Sequence, residues 1–150
     1  MNVEKIIDDL IAAVTRRDAK AVGAMFSKDA EFAEMVGTGG VAYGQEKIQE
    51  LWDNFFKDVS HATKDNKWDV HRKIISGNNA AIQRTSYFTF KGRKIAIEMV
   101  AIIEVDENGK IKVYRDHCDS RIFIPQENAE EWKAYCDSFK KLGVTAELRK

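Results

Sequence analysis

Four consecutive segments, residues 67–76, 80–91, 93–106 and 110–122, are rich in β-branched and aromatic residues. Only Gly77-Asn78-Asn79, Lys91-Gly92 and Asp106-Glu107-Asn108-Gly109 separate them. Connections this short join antiparallel neighbours and leave no room for a helical crossover, so the second half of the chain is expected to be one meander. Asp116 lies in the middle of its last strand, among apolar positions. Strands alternate faces with period two, so Tyr114, Asp116 and Cys118 share one face, and Arg115, His117 and Asp119 share the other. If the first face lines the interior, Asp116 is an ionisable group in a poorly solvated place, which marks a candidate functional residue.

The first half reads as helical. Val3, Ile6, Ile7, Leu10, Ile11 and Val14 recur at the spacing of an amphipathic helix over 3–16, with Asn2 as its N-cap. Asp18 can cap a shorter helix carrying Val22, Met25 and Phe26. Ser27 to Ala30 then reads as a turn and Glu31 to Val36 as a short strand, followed by a loop through Gly37, Gly39 and Gly40. A third helix is expected over 45–58, with the apolar stripe Ile48, Leu51, Trp52, Phe55 and Phe56. A last helix over 127–142 would bury Trp132, Tyr135, Cys136, Phe139 and Leu142. Helices segregated from hairpins mean an α+β architecture: a strongly curved sheet with three helices laid across it, forming a cone whose mouth admits a small molecule.

A chain of 150 residues is one domain of ordinary size, here 1–150, and buries roughly 68–70% of its unfolded surface. It can therefore enclose a pocket without a metal or disulfide. Twenty-four basic and 24 acidic residues cancel, so there is no long-range basic field for nucleic acid or a membrane surface. Cys118 and Cys136 lie in apolar patterns and read as buried thiols rather than a disulfide scaffold. Met1 opens no charged-then-apolar leader and no apolar run has membrane-spanning length, so a cytoplasmic location is expected.

Other chemistries find little support. His61, His71 and His117 are not spaced as metal ligands and no Cys/His cluster exists, so no metal is expected. Gly37-Thr38-Gly39-Gly40 lacks the lysine and helix of a phosphate-cradling loop, and no cofactor is expected. Cys118 has no histidine placed to activate it. Glu98 falls on the strand face opposite Ile97, Met99 and Ala101. This assigns Glu98 to the outer sheet face and Met99 to the inner one. Tyr43 can point a phenol into the pocket.

The element order, with Ala42-Tyr43-Gly44-Gln45-Glu46 leading into the third helix, Ala81-Ile82-Gln83-Arg84-Thr85-Ser86, and Asn108-Gly109-Lys110-Ile111 followed by Tyr114-Arg115-Asp116 and Arg121-Ile122-Phe123, resembles the nuclear-transport-factor-2-like superfamily. Within its cystatin-like α+β cones, the chain is most similar to the limonene-1,2-epoxide hydrolase and SnoaL-like polyketide cyclase branch. The resemblance implies two aspartates bridged by an arginine, one taking a proton from water and the other protonating the epoxide oxygen. Asp116 matches the first aspartate and Arg84 the arginine. Ser86 stands where the second aspartate belongs, and a serine hydroxyl is a far weaker acid. The tyrosine and asparagine that hold the water fall near Phe32 and Glu34, or Glu34 and Val36, and neither register restores them.

The expected function is a cofactor-independent enzyme acting on a small apolar or polyketide-like, oxygen-bearing molecule, of cyclase, isomerase or epoxide hydrolase type. Asp116 would be the general base and Arg84 its partner, with Ser86, Tyr43 and Glu34 supplying polar contacts and Tyr114, Cys118 and Met99 lining the pocket. The alternative is a non-catalytic ligand-binding or dimerisation module of the same fold. Outward apolar residues such as Val100 and Ile102 point to a homodimer.

Overall fold

A computed structural model describes residues 2–34, 40–58, 67–90, 93–119 and, toward the C-terminus, 128, 130–131, 133–134 and 137–138. Its helices are α1 (Val3–Thr15), α2 (Ala19–Ala24) and α3 (Gln45–Asp58), with the first two strands lying between α2 and α3. The strands are β1 (Phe26–Ala33), β2 (Val41–Tyr43), β3 (Lys67–Ser76), β4 (Asn79–Phe90), β5 (Arg93–Val105) and β6 (Ile111–His117). Both expected caps form: the Asn2 side chain accepts from the Lys5 N–H and that of Asp18 from the Ala21 N–H. Each satisfies one of the donors that a helix start leaves unpaired.

The six strands form one sheet in the order β2-β1-β6-β5-β4-β3. All neighbours are antiparallel except β1 and β6, which run parallel. Gly77 takes a φ of +59° at the first of two loop positions between β3 and β4, as a type II′ hairpin requires. Three register irregularities bend the sheet. One leaves His71 unmatched between Val70 and Arg72. Another lies between Glu104 and Val105. In the third, β1 gains several residues on β6 between Phe26 and Glu31. Extra residues of this kind kink a strand and increase its twist.

Three expectations about the first half are corrected. The second helix carries Val22 but ends at Ala24, so Met25 is its C-cap and Phe26 is the first residue of β1. Ser27 to Ala30 is part of strand β1, not a turn. Its burial pattern does not alternate, because the β1–β6 irregularity falls on these residues. Residues 41–43 also form a strand, β2, where only a lead into the third helix was expected.

The helices cover the concave face. Ile7, Leu10 and Val14 of α1, Val22 of α2, and Ile48, Trp52 and Phe56 of α3 pack with Phe32, Ile82, Ala101, Ile103, Ile111 and Tyr114 of the sheet. Lys73 of β3 ties the sheet to α1 through Glu4 at 3.2 Å and Asp8 at 2.9 Å. A smaller cluster, Phe88, Ile95, Ile97 and Met99, continues the concave face beyond the main core, with Phe55 and Cys118 against it. Residues 130–131, 133–134 and 137–138 are helical, and the Asn128 side chain accepts from the N–H groups of Glu130 and Glu131. The rest of the helix expected over 127–142, including its apolar stripe, lies outside the described residues. So do the turn at 91–92, the loop over 35–39 and His61. Among the described residues no helix is long and apolar enough to cross a membrane.

Candidate active site

Strand β5 lies between β4 and β6, and its register fixes the site. Arg84 of β4 pairs with Met99 of β5, and Asp116 of β6 pairs with Ala101 of β5. Arg84 must therefore cross β5 diagonally to reach Asp116, over two interstrand spacings of about 4.8 Å each. An extended arginine has that reach, and the small Ala101, directly opposite Asp116, leaves the crossing open. Arg84 Nη1 donates to Asp116 Oδ1 and Nη2 to Oδ2, both at 2.8 Å. The pair is secluded, with Arg84 1% and Asp116 4% exposed.

Alternation explains where this polar layer sits. On β4, Arg84 lies between Ile82 of the main core and Ser86 and Phe88 beyond it. On β6, Asp116 lies between Tyr114 of the main core and Cys118 of the smaller cluster. The pair thus crosses the cone between two apolar layers. Trp68 of β3 closes it from the side, with the Arg84 guanidinium carbon 4.0 Å from its ring centroid, a cation–π contact. The β3–β4 register puts it there: Trp68 and Val70 share a strand face, and after the slip at His71 their partners across β3–β4 are Ser86 and Arg84.

Tyr114 donates its hydroxyl to Asp116 Oδ1 at 3.3 Å. A carboxylate offers about four lone-pair sites. Three are used by Nη1, Nη2 and the phenol, which leaves one on Oδ2. Burial pushes the Tyr114 phenol well above its ordinary range; Arg84 opposes this and Asp116 adds to it. The hydroxyl is therefore a neutral donor. Burial alone would weaken the hold of Arg84 on its proton, but the charge and hydrogen bonds of Asp116 help to raise that hold above the ordinary value. Burial also raises the Cys118 thiol, helped by Asp116 and Glu34, so it carries no thiolate for nucleophilic work.

Glu34 follows the end of β1. Its carboxyl is raised, first by burial and then by the charge of Asp116, with Arg84 pulling the other way. It also stands on the wall of a cleft of about 390 Å³, with Val41, Ala42, Leu51, Asn54 and Phe55 among the other lining residues. A second carboxyl group thus approaches the Arg84–Asp116 pair from β1. Ser86 is buried on β4 and its hydroxyl lies 3.4 Å from the sulfur of Met99.

Tyr43 is not brought to the pair. It is 67% exposed and lines a separate cleft of about 560 Å³ with Lys28, Gly44, Gln45 and Glu50. On β2 it is Ala42 that faces inward, so alternation turns the phenol out. Phe32 is core, stacked on Tyr114 with centroids 5.0 Å apart, and holds no water; Val36 lies outside the described residues. Glu98 is on the outer face, accepting from the Gln83 side-chain amide at 2.7 Å. His71 hydrogen-bonds the Thr85 hydroxyl at 2.8 Å, and His117 is exposed. Among the described residues, no three His, Cys, Asp or Glu side chains are grouped as a metal site requires.

Several solved structures share the fold. An LEH-like epoxide hydrolase from M. tuberculosis is 19% identical, with 89% of this chain and 93% of that one covered and a TM-score of 0.71. A putative SnoaL-like polyketide cyclase from Shewanella denitrificans is 14% identical, with 85% and 97% covered and a TM-score of 0.74. A hypothetical protein of ketosteroid isomerase-like fold from Catenulispora acidiphila, in complex with trimethylamine, is 17% identical, with 81% and 90% covered and a TM-score of 0.70. At these identities the likeness is one of fold. No curated protein matches the chain. The model of the SnoaL-like domain matches residues 7–114, from the first turns of α1 to the strand that carries Asp116, and the chain belongs to that family.

Proposed function

We propose that this chain is a cofactor-independent enzyme of cyclase, isomerase or epoxide hydrolase type, with Asp116 as general base and Glu34 as general acid. The observation that carries the reading is a pair of carboxyl groups in contrasting surroundings. Asp116 is held in the bidentate grip of Arg84, the geometry of an ionised carboxylate. Glu34, desolvated and beside that negative charge, keeps its proton to higher pH. A carboxylate fixed by an arginine and a neighbouring carboxyl that keeps its proton are suited to opposite halves of one proton-transfer reaction.

Asp116 uses the open site on Oδ2 to take a proton from a water molecule or from a carbon next to a carbonyl. The electron pair released attacks an epoxide or carbonyl carbon of the substrate. The electrons of the C–O bond being broken, or of its π bond, move onto oxygen, and Glu34 delivers its proton there. The Arg84 charge steadies the developing negative charge. Glu34 thus does what Ser86 cannot. The apolar layers on either side of the pair favour a substrate that is mostly hydrocarbon.

The test is a panel of epoxides and β-dicarbonyl compounds incubated in oxygen-18 water and read by mass spectrometry. A labelled diol marks hydrolysis, and an unlabelled isomer or ring product marks cyclase or isomerase chemistry. Asp116→Asn and Glu34→Gln should each lower turnover by about 10²–10⁴-fold. Full activity in either variant ends the two-carboxyl mechanism. The binding-module reading draws on Ser86, which leaves β4 without an acid, and it wins if ligands bind and none is turned over. We also assign a homodimer to the outer sheet face, where Ile74, Ala81 and Ile102 form an apolar row across β3, β4 and β5 and Ile74 and Ile102 are exposed.

A further inference from the structure

One buried titratable group, the phenol of Tyr114, has no part in the proton transfers assigned to Asp116 and Glu34. Tyr114 is fully buried on β6, where a phenylalanine would fill the same space and leave no hydroxyl to satisfy. Its ring is held from two sides. Phe32, its register partner on the parallel neighbour β1, stacks on it with centroids 5.0 Å and planes 16° apart. Phe26 meets it edge-on at 6.3 Å. A ring clamped in this way fixes where its hydroxyl points, and the hydroxyl donates to Asp116 Oδ1 at 3.3 Å. Hydroxyl–carboxylate bonds are ordinarily about 2.5–2.7 Å long. So loose a bond does little to hold the strand together, and the worth of the hydroxyl lies in what it does to the carboxylate.

The titratable groups around Asp116 are Arg84 from β4, Glu34 from the end of β1, and Tyr114 and Cys118 from its own strand. Ala101, opposite on β5, adds none. Arg84 treats the two carboxylate oxygens alike, at 2.8 Å each. Tyr114 bonds Oδ1 alone. Burial keeps the phenol neutral far above physiological pH, so it serves as a donor at every pH the folded chain meets. A neutral donor on a carboxylate favours the charged form. We infer that Tyr114 is a positioning residue for the Asp116 base, its phenol closing Oδ1 to protons and setting the lower pH bound of the reaction. This rests on the reading of Asp116 as general base and adds the group that decides over what pH range that base is free.

The experiment compares the full parent chain with Tyr114→Phe, which keeps the ring and removes the hydroxyl, and with Tyr114→Leu, which removes both. Two readouts are followed over one pH range. One is the carboxyl carbon signal of Asp116 in chains made with carbon-13 aspartate, assigned by its loss in Asp116→Asn. The other is turnover of whichever epoxide or β-dicarbonyl compound of the panel reacts. In Tyr114→Phe the carboxyl transition and the acid limb of turnover should both move up by about one pH unit, as loss of one hydrogen bond to a charged group predicts. KM and the thermal midpoint should stay close to those of the parent. Tyr114→Leu should show the same displacement together with a clearly lower thermal midpoint, because it also loses the stack on Phe32. The inference is overturned if the carboxyl transition does not move in Tyr114→Phe, if it moves only in Tyr114→Leu and so follows packing, or if the carboxyl stays charged in both chains down to the pH of unfolding. A displaced carboxyl transition with an unmoved acid limb refutes Asp116 as the base and leaves the hold of the phenol on Oδ1 standing. Should no compound of the panel react, the carboxyl titration decides alone; should Tyr114→Leu fail to fold, Tyr114→Phe against the parent decides.

Discussion

Replacing Asp116 by Asn tests whether the Arg84–Asp116 pair is as secluded as its geometry indicates. The change is nearly isosteric, but it removes the negative charge and turns one of the two acceptor oxygens into a donor. One guanidinium N–H then faces an amide N–H across 2.8 Å, and Arg84, 1% exposed, becomes an unmatched buried charge. Breaking one side of a buried pair costs about 3–5 kcal/mol. For a chain of this length that corresponds to a fall in Tm of about 6–20 °C. With a urea m value of about 2 kcal/mol/M, the midpoint drops by about 1.5–2.5 M. Urea unfolding followed by far-ultraviolet circular dichroism measures it. The double variant Arg84→Met/Asp116→Leu should recover most of the loss, because an apolar pair of similar volume carries no desolvation cost. A loss below about 1 kcal/mol in the single variant is what a solvated surface pair would give. That result would refute the seclusion on which the mechanism depends.

Two further predictions concern the surroundings of the pair. The Glu34 carboxyl holds its proton more tightly folded than unfolded, so the stability it contributes is fully present below its unfolded pKa and is lost as pH rises through the folded value. Glu34→Gln should therefore gain stability relative to the parent as pH increases from 4 to 9; parallel Tm-versus-pH curves would contradict this. Ala101→Leu places a branched side chain where Arg84 crosses β5. It should cost about 1–3 kcal/mol in thermal unfolding through overpacking, whereas Ala101→Gly keeps the crossing open and costs about 0.5–1 kcal/mol. Equal losses in the two would mean that the arginine takes another path.

Much of this arrangement was legible in the chain because two periods govern it. The 3.6-residue stripe located α1 and α3, and their caps set where α1 and α2 begin. Period-two alternation put Tyr114 and Asp116 inside and Arg115 and His117 outside, and Glu98 opposite Met99. Arg84 was found by resemblance rather than by period, since alternation along one strand says nothing about which distant strand lies alongside. Alternation is blind where a register slips. The extra residues of β1 hid the strand character of Ser27 to Ala30, whose polar sequence looks like a turn. A three-residue strand such as β2 is too short to declare a period, so the outward direction of Tyr43 was not readable. The approach of Glu34 to Asp116 depends on β1 lying beside β6 in parallel, a long-range pairing with no local signature. The placement of Trp68 over the guanidinium was not readable either: counted back from the Gly77-Asn78 turn Trp68 would face Tyr87, and only the register slip at His71 sets it opposite Ser86.

That parallel pairing has a consequence for biosynthesis. β1 spans Phe26–Ala33 and its partner β6 spans Ile111–His117, so the N-terminal third of the chain leaves the ribosome long before its neighbour in the sheet exists. At about 5–20 residues per second, the wait for those intervening residues is on the order of 4–17 seconds. During that interval α1, α2 and α3 lack the part of the concave surface that β6 supplies through Ile111 and Tyr114, and their apolar stripes are more open to holdase chaperones or to other nascent chains. The last hairpin to be translated is then the event that lets the layers dock, which makes truncation before β6 far more damaging than the number of residues removed would suggest.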